Sequence, residues 1–279
     1  MTATDDPRGG RTRTARREFP FWLLAAVLLG LLFAWLIVNN GDYSIIFAAL
    51  GQGVFTTIWV SVVAFACACL VGLVIAVARR SRFRLVREVA TFYVEIVRGV
   101  PVLVLLFYVA FVAAPAIVVA WNWMLTWPIG AGLIPAMTVR GFDMTARAIF
   151  ALTVSYSAFL SEIFRAGIES VPKPQVEGAY ALGLARGTTM RYVVLPQALR
   201  TVLPPLGNDF VAMIKDSALV SALGVQDITQ LGKVYSASTF LFFETYNVVA
   251  FLYLVMTISL SLLVRALERH LKSRGWTGT

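Results

Sequence analysis

The sequence predicts an all-α, polytopic helical membrane protein with six transmembrane helices and both termini in the cytoplasm. Three observations carry that expectation. Of 279 residues, 59% are hydrophobic and only 14% charged, where soluble domains average roughly 45–50% and about 25%. Charge is absent from four long runs, 19–41, 43–78, 99–139 and 245–264, and about 20 apolar residues suffice to cross the hydrocarbon core. The basic residues, finally, sort to alternate sides of the spans that these runs define.

Taken in chain order, residues 1–18 hold five arginines and read as a disordered cytoplasmic tail. Residues 19–41 form an extra first helix, with its span at 20–38. This run ends in Asn39-Asn40-Gly41-Asp42 without a small-x-small cleavage site, so it reads as a retained helix and not a signal peptide. The second span is 53–78. The third is 89–112 and carries Glu95 and Arg98. The fourth is 148–164. The fifth, 196–214, is the weakest, because Pro196, Pro204, Pro205 and Gly207 interrupt it and Asn208 and Asp209 lie within it. The sixth is 245–264, followed by a cytoplasmic tail at 269–279. Residues 113–127 are apolar too, but short and rich in tryptophan (Trp121, Trp123, Trp127). Trp favours the membrane–water interface, so this stretch reads as an interfacial segment.

With the N-terminus inside, the inside segments hold 19 of the 24 lysines and arginines and the outside segments four, with Arg98 inside a span. A seventh span at 113–127 would place the C-terminal basic cluster outside. The net charge of +9 is therefore an orientation signal and not a nucleic-acid footprint.

The same inventory removes other classes. The single histidine, His270, gives little material for His-based catalysis or a metal site. Cys67 and Cys69 lie two apart in an apolar run and point to different helix faces, as packing residues do. Gly232-Lys233 lacks the earlier glycine of a phosphate-binding loop, so the chain has no ATP-hydrolysing motif of that kind. No catalytic, cofactor-binding or metal-binding residue is expected.

The loop after the fourth span is the most informative segment. Pro172 and Pro174 end the preceding helix. Residues 177–186 then have good helix formers with a carboxylate in the first turn, closed by Gly187. A short helix this rich in Ala and Gly either lets another backbone approach closely or lies on the membrane as an interfacial helix, and composition alone does not separate the two.

Motifs separate them. Glu177-Gly178-Ala179 with Gly183 four residues on, and Leu195-Pro196 beyond it, resembles the cytoplasmic signature of the membrane-spanning (permease) subunits of ABC importers. Gly53-Val-Phe-Thr56-Thr57 resembles the start of that family's core domain. Arg98-Gly-Val100-Pro101 resembles its Arg-Gly-Thr-Pro motif, and Ala158-Phe159-Leu-Ser-Glu162-Ile-Phe-Arg165-Ala-Gly167-Ile168 its Ala-Tyr-x-x-Glu-x-x-Arg-Gly-Gly-Ile motif. Leu195 to Arg200, Pro204, Asn208 and Lys215-Asp216-Ser217 complete a set similar to the polar amino acid branch with the type I importer fold. The resemblance covers 50–268. Val100, Phe159, Ala166, Pro174, Gly178 and Asp216-Ser217-Ala218 depart from the family pattern, and Gly178 should loosen its helix by about 1 kcal/mol.

The resemblance implies an ATP-driven importer of a polar amino acid in the bacterial cytoplasmic membrane. A separate ATPase subunit binds ATP-Mg and docks on a coupling helix at Glu177, Gly178, Ala179, Tyr180, Ala181, Leu182 and Gly183. A second permease subunit, an extracytoplasmic substrate-binding protein and membrane lipid are the other implied partners; nucleic acid is not. Polar groups at membrane depth are costly and so mark function. Glu95 and Arg98, three apart on one helix face, with Pro101, Ser155, Asn208 and Asp209, are the candidates for the translocation path or gate. A structural ion pair and a polar hinge are the plainer readings of the charged residues, and Glu162 is placed to support the coupling loop. The alternative function is a secondary transporter or channel for small polar solutes.

Overall fold

The computed structural model describes residues 21–273, and no strand occurs among them. The expected tail at 1–18 lies outside the described residues. The helices are α1 (Phe21–Asn39), α2 (Gly41–Ala78), α3 (Arg84–Gly99), α4 (Val102–Tyr108), α5 (Ala114–Met124), α6 (Thr126–Gly130), α7 (Met144–Glu169), α8 (Lys173–Ala181), α9 (Arg186–Thr189), α10 (Leu195–Asp216), α11 (Ile228–Thr239) and α12 (Phe242–Ser273). A π turn (Val109–Ala113) joins α4 to α5, a second (Met190–Val194) joins α9 to α10, and a 3₁₀ stretch (Ser217–Leu223) follows α10.

Four helices among the described residues are long and apolar enough to cross a membrane: Gly41–Ala78, Val102–Met124, Met144–Glu169 and Phe242–Arg269. Three of them enclose the expected spans at 53–78, 148–164 and 245–264. The remaining one corrects the reading of 89–112 as a single span with an interfacial segment at 113–127. The chain leaves the helix at Val100, which is extended (φ −99°, ψ 134°), and Pro101 starts a new one. Proline disfavours the α conformation in the residue before it, and its own N–H cannot donate. Hydropathy runs unbroken through Val100-Pro101-Val102, so the apolar signal hid the elbow. Residues 113–124 continue the 23-residue helix Val102–Met124.

At the centre lies α7. In its most apolar stretch 61% of residues are buried, against 17% in α12. Its Leu152, Ala158 and Leu160 pack with Val60, Ala64 and Ala68 of α2, Val94 and Val97 of α3, and Met213 of α10. Close approach depends on glycine at two points. A Cβ on Gly72 would sit 2.9 Å from the Ser157 carbonyl oxygen, and one on Gly167 would overlap Val202 of α10. A second cluster joins Tyr43, Ile46 and Leu50 of α2 to Ile228 of α11 and Val248, Val249 and Leu252 of α12, with Phe33, Leu36 and Ile37 of α1 against it.

The sequence reading left 215–244 as an outside segment without structure. The chain folds α11 within it, and Asp227 caps it by accepting from the Gln230 N–H at 2.8 Å.

Candidate functional site: the α7–α8 end of the bundle

The segment after α7 differs from the expected 177–187 helix. Helix α8 starts at Lys173 with Pro174 in its first turn, where a missing N–H costs nothing because first-turn donors have no intrahelical partner. It ends at Ala181, and Gly183, not Gly187, closes it. Gly183 has φ +79°, and the N–H groups of Gly183 and Leu184 donate back to the carbonyls of Tyr180 and Ala179 at 2.9 and 3.1 Å. That left-handed cap is the geometry for which glycine carries no Cβ penalty.

Of the seven proposed docking residues only Ala179 is buried. Glu177, Gly178, Tyr180, Ala181, Leu182 and Gly183 are exposed, Leu182 at 84%. Ala179 anchors the helix and the remaining positions form a presented surface. Behind them a cavity of about 560 Å³ separates the segment from the end of α7, lined by Ile168, Glu169, Val176, Tyr180, Arg186 and Thr189. Polar ties hold the segment to α10: Gln197 Nε2 donates to Gln175 Oε1 at 2.7 Å, and Ser170 Oγ donates to Thr201 Oγ1 at 3.2 Å.

Two carboxylates in the last turns of α7 gather four arginines. Glu162 Oε1 accepts from Arg79 Nη1 at 2.5 Å and lies 3.6 Å from Arg98 Nη1, while its Oε2 accepts from Arg165 Nε at 2.9 Å. Glu169 takes Arg165 Nη1 at 2.5 Å and Arg80 Nη1 at 3.8 Å. Glu162 therefore joins the end of α2 (Arg79), the end of α3 (Arg98) and its own helix. The expected Glu95–Arg98 pairing does not form. Arg98 turns to Glu162, with its guanidinium carbon 5.7 Å from the Phe159 ring centre, and Glu95 is exposed with no ion pair among the described residues.

The other path candidates are spread apart. Pro101 is exposed at the elbow. The Ser155 hydroxyl is buried and donates to the Ala151 carbonyl of its own helix at 2.9 Å. Asn208 is exposed and Asp209 half-buried on α10, just after Pro204 and Pro205. Both prolines lie inside the helix and withdraw donors from the carbonyls one turn earlier.

The sequence reading missed the role of Arg79, which counted only as a topology signal, and that of Tyr156. The Tyr156 hydroxyl donates to Asp216 Oδ2 at 2.8 Å and ties the middle of α7 to the end of α10. Likewise Tyr93 on α3 lies 2.7 Å from Ser157 Oγ and donates to the Val154 carbonyl at 3.0 Å. At the opposite end of α7, Arg147 is 6% exposed and has carbonyls as its partners: those of Phe142 (2.8 Å), Ala110 (3.3 Å) and Val139.

A central helix buried by its neighbours, several apolar helices of spanning length and a short helix presented at one end define a multi-pass membrane bundle built to be engaged from outside itself. The family described as the binding-protein-dependent transport system inner membrane component matches residues 68–274. The chain belongs to that family, and is thus a permease subunit of an ABC transporter and not its ATPase. The glutamine transport system permease protein of Escherichia coli (strain K12) is 34% identical over 234 residues, which cover 83% of this chain and 98% of that protein. The L-cystine transport system permease protein of Bacillus subtilis (strain 168) is 32% identical over 249 residues, covering 89% and 95%. A crystal structure of an amino acid ABC transporter with histidines superposes with a TM-score of 0.68 at 32% identity, covering 84% of this chain and 98% of that one. An inward-facing methionine ABC transporter shares the fold at a TM-score of 0.58 and 20% identity, covering 79% and 95%.

Proposed function

We propose that the chain is the permease of an importer for a polar amino acid in the bacterial cytoplasmic membrane. The observation that carries this reading is the presented α8 segment, whose exposed Glu177, Tyr180, Leu182 and Gly183 continue directly from the buried central helix. A partner ATPase docks there, hydrolyses ATP-Mg and moves α7; a substrate-binding protein delivers the amino acid on the far side. Two permease subunits, identical or related, enclose the path.

In this reading the chain crosses the membrane six times with both termini inside, as the 19-to-4 split of basic residues supports. Residues 50–268 form the transport domain, and the helix at 19–41 is an addition to it. The path runs past Arg98 and Pro101 at the elbow and past Asn208 and Asp209, where interrupted backbone lines a cavity. Glu95 flanks this face, and Ser155 packs behind it. The substrate class rests on the glutamine and cystine relatives and on the polar amino acid motifs.

The test is reconstitution of the permease pair with its ATPase and binding protein in proteoliposomes. Labelled glutamine, cystine and arginine are offered in turn, and one of them is expected to stimulate both uptake and ATP hydrolysis. A Leu182→Arg variant keeps the fold, because the side chain is 84% exposed, and is expected to abolish stimulated hydrolysis. Failure of all three amino acids to stimulate would remove the substrate class; normal coupling in Leu182→Arg would remove the docking assignment.

A further inference from the structure

We propose that Glu162 and Arg98 form the link that carries movement of the α8 segment across to α3 and, through the Val100–Pro101 elbow, to the spanning helix Val102–Met124. The inference rests on the proposed docking of an ATPase at α8.

Four features of the structure lead there. Helix α7 runs into α8 with a connection of only Ser170, Val171 and Pro172, so displacement of α8 pulls on the end of α7. Side to side, α7 has little freedom against α2 and α10, because Gly72 and Gly167 bring those helices to contact distance. α3 is held differently. Its polar ties to α7 are Tyr93 to Val154 and Ser157, and Arg98 to Glu162. Arg98 occupies the last turn of α3, one residue before Gly99 and two before the extended Val100, where the helical hydrogen bonding stops. A lateral pull at Arg98 therefore acts directly on the elbow.

Glu162 suits the task because it stays fixed from the other side. Arg79 at 2.5 Å and Arg165 at 2.9 Å hold its carboxylate, while Arg98 at 3.6 Å is its longest contact and is 42% exposed. Loss of Arg98 leaves the rest of the cluster paired. Glu162 and Arg98 are thus positioning residues, which act through the elbow and need not touch the amino acid.

The experiment uses the reconstituted full complex and the amino acid, among glutamine, cystine and arginine, that stimulates the wild type. Arg98→Gln is expected to lower uptake per ATP hydrolysed roughly tenfold, the scale of a typical coupling between distant sites, with ATPase co-purification unchanged. Arg98→Lys should restore most of the ratio, and Phe159→Leu, which removes the ring but keeps the ion pair, should leave it near wild type. In a Cys67→Ala, Cys69→Ala background, Arg98→Cys with Glu162→Cys should be uncoupled. A short, reducible thiol cross-linker should recouple it, and reduction should uncouple it again. A normal ratio in Arg98→Gln, or a cross-link that stops transport, would overturn the proposal. An inactive wild-type complex would instead count against the function reading.

Discussion

The N-terminal end of α7 carries one buried guanidinium, Arg147, whose donors go to the carbonyls of Phe142, Ala110 and Val139. The C-terminal end carries Glu162 and Glu169, shared among Arg79, Arg80, Arg98 and Arg165 with side chains 12–47% exposed. Both ends are satisfied, but by different physics. Carbonyls bound to a buried cation have no substitute donor once it leaves, so that end has a single arrangement. Exposed ion pairs trade with water and with one another at little cost, so the other end can exchange partners without unfolding. The same helix is fixed at one end and adjustable at the other, and the adjustable end adjoins the segment proposed to receive the ATPase.

The contrast can be broken in four places. Arg147→Ala should give the largest loss, about 3 kcal/mol, since it strands buried carbonyls; the melting temperature of the detergent-solubilised protein reports it, and a neutral result would make the two ends alike. Next comes Gly72→Ala, in the middle of the helix, where the new methyl meets the Ser157 carbonyl and should cost about 1–3 kcal/mol by overpacking, read in the same assay. Glu169→Gln releases Arg165 and Arg80 at the exposed end and should cost under about 1 kcal/mol. Its effect should fade in 1 M salt, where the screening length falls to about 3 Å; a loss as large and as salt-independent as that of Arg147→Ala would sink the contrast. Finally, Arg84→Ala removes a pair 4.0 Å long with Arg84 87% exposed, and no change in melting temperature should be detectable.

Much of this was readable from the chain. The uncharged runs located α2, α7 and α12 because lipid selects against charge along a whole helix. The elbow was not, because Val100, Pro101 and Val102 are all apolar and a hydropathy window averages over a backbone break. Helix α11 was hidden by Gln230, Lys233 and Ser236, although Asp227 with Gln230 three residues on is a helix-start pattern. Pro174 was read as a stop when its position in a first turn makes it a start. The Glu162 cluster joins residues 83 apart in sequence, and no local pattern carries such a pairing. The sequence correctly singled out Glu95 and Arg98 as polar groups with a reason to exist, but their nearness in sequence suggested each as the other's partner.

One feature bears on how this chain tolerates change in length. At Val109–Ala113 the Ala114 N–H reaches back five residues to the Val109 carbonyl, and Pro115 has no N–H to offer. The Ala110 carbonyl is thereby left for Arg147. A π turn holds one residue more than an α-helix needs. Deleting that residue would keep the hydropathy intact, yet it would rotate everything beyond it, Trp121 and Trp123 included, by about 100° and draw it back by about 1.5 Å. A second surplus residue sits at Met190–Val194, just ahead of α10. Two helices of this protein thus keep count of their residues, and a homologue one residue shorter at either point would have to aim the rest of that helix at different neighbours.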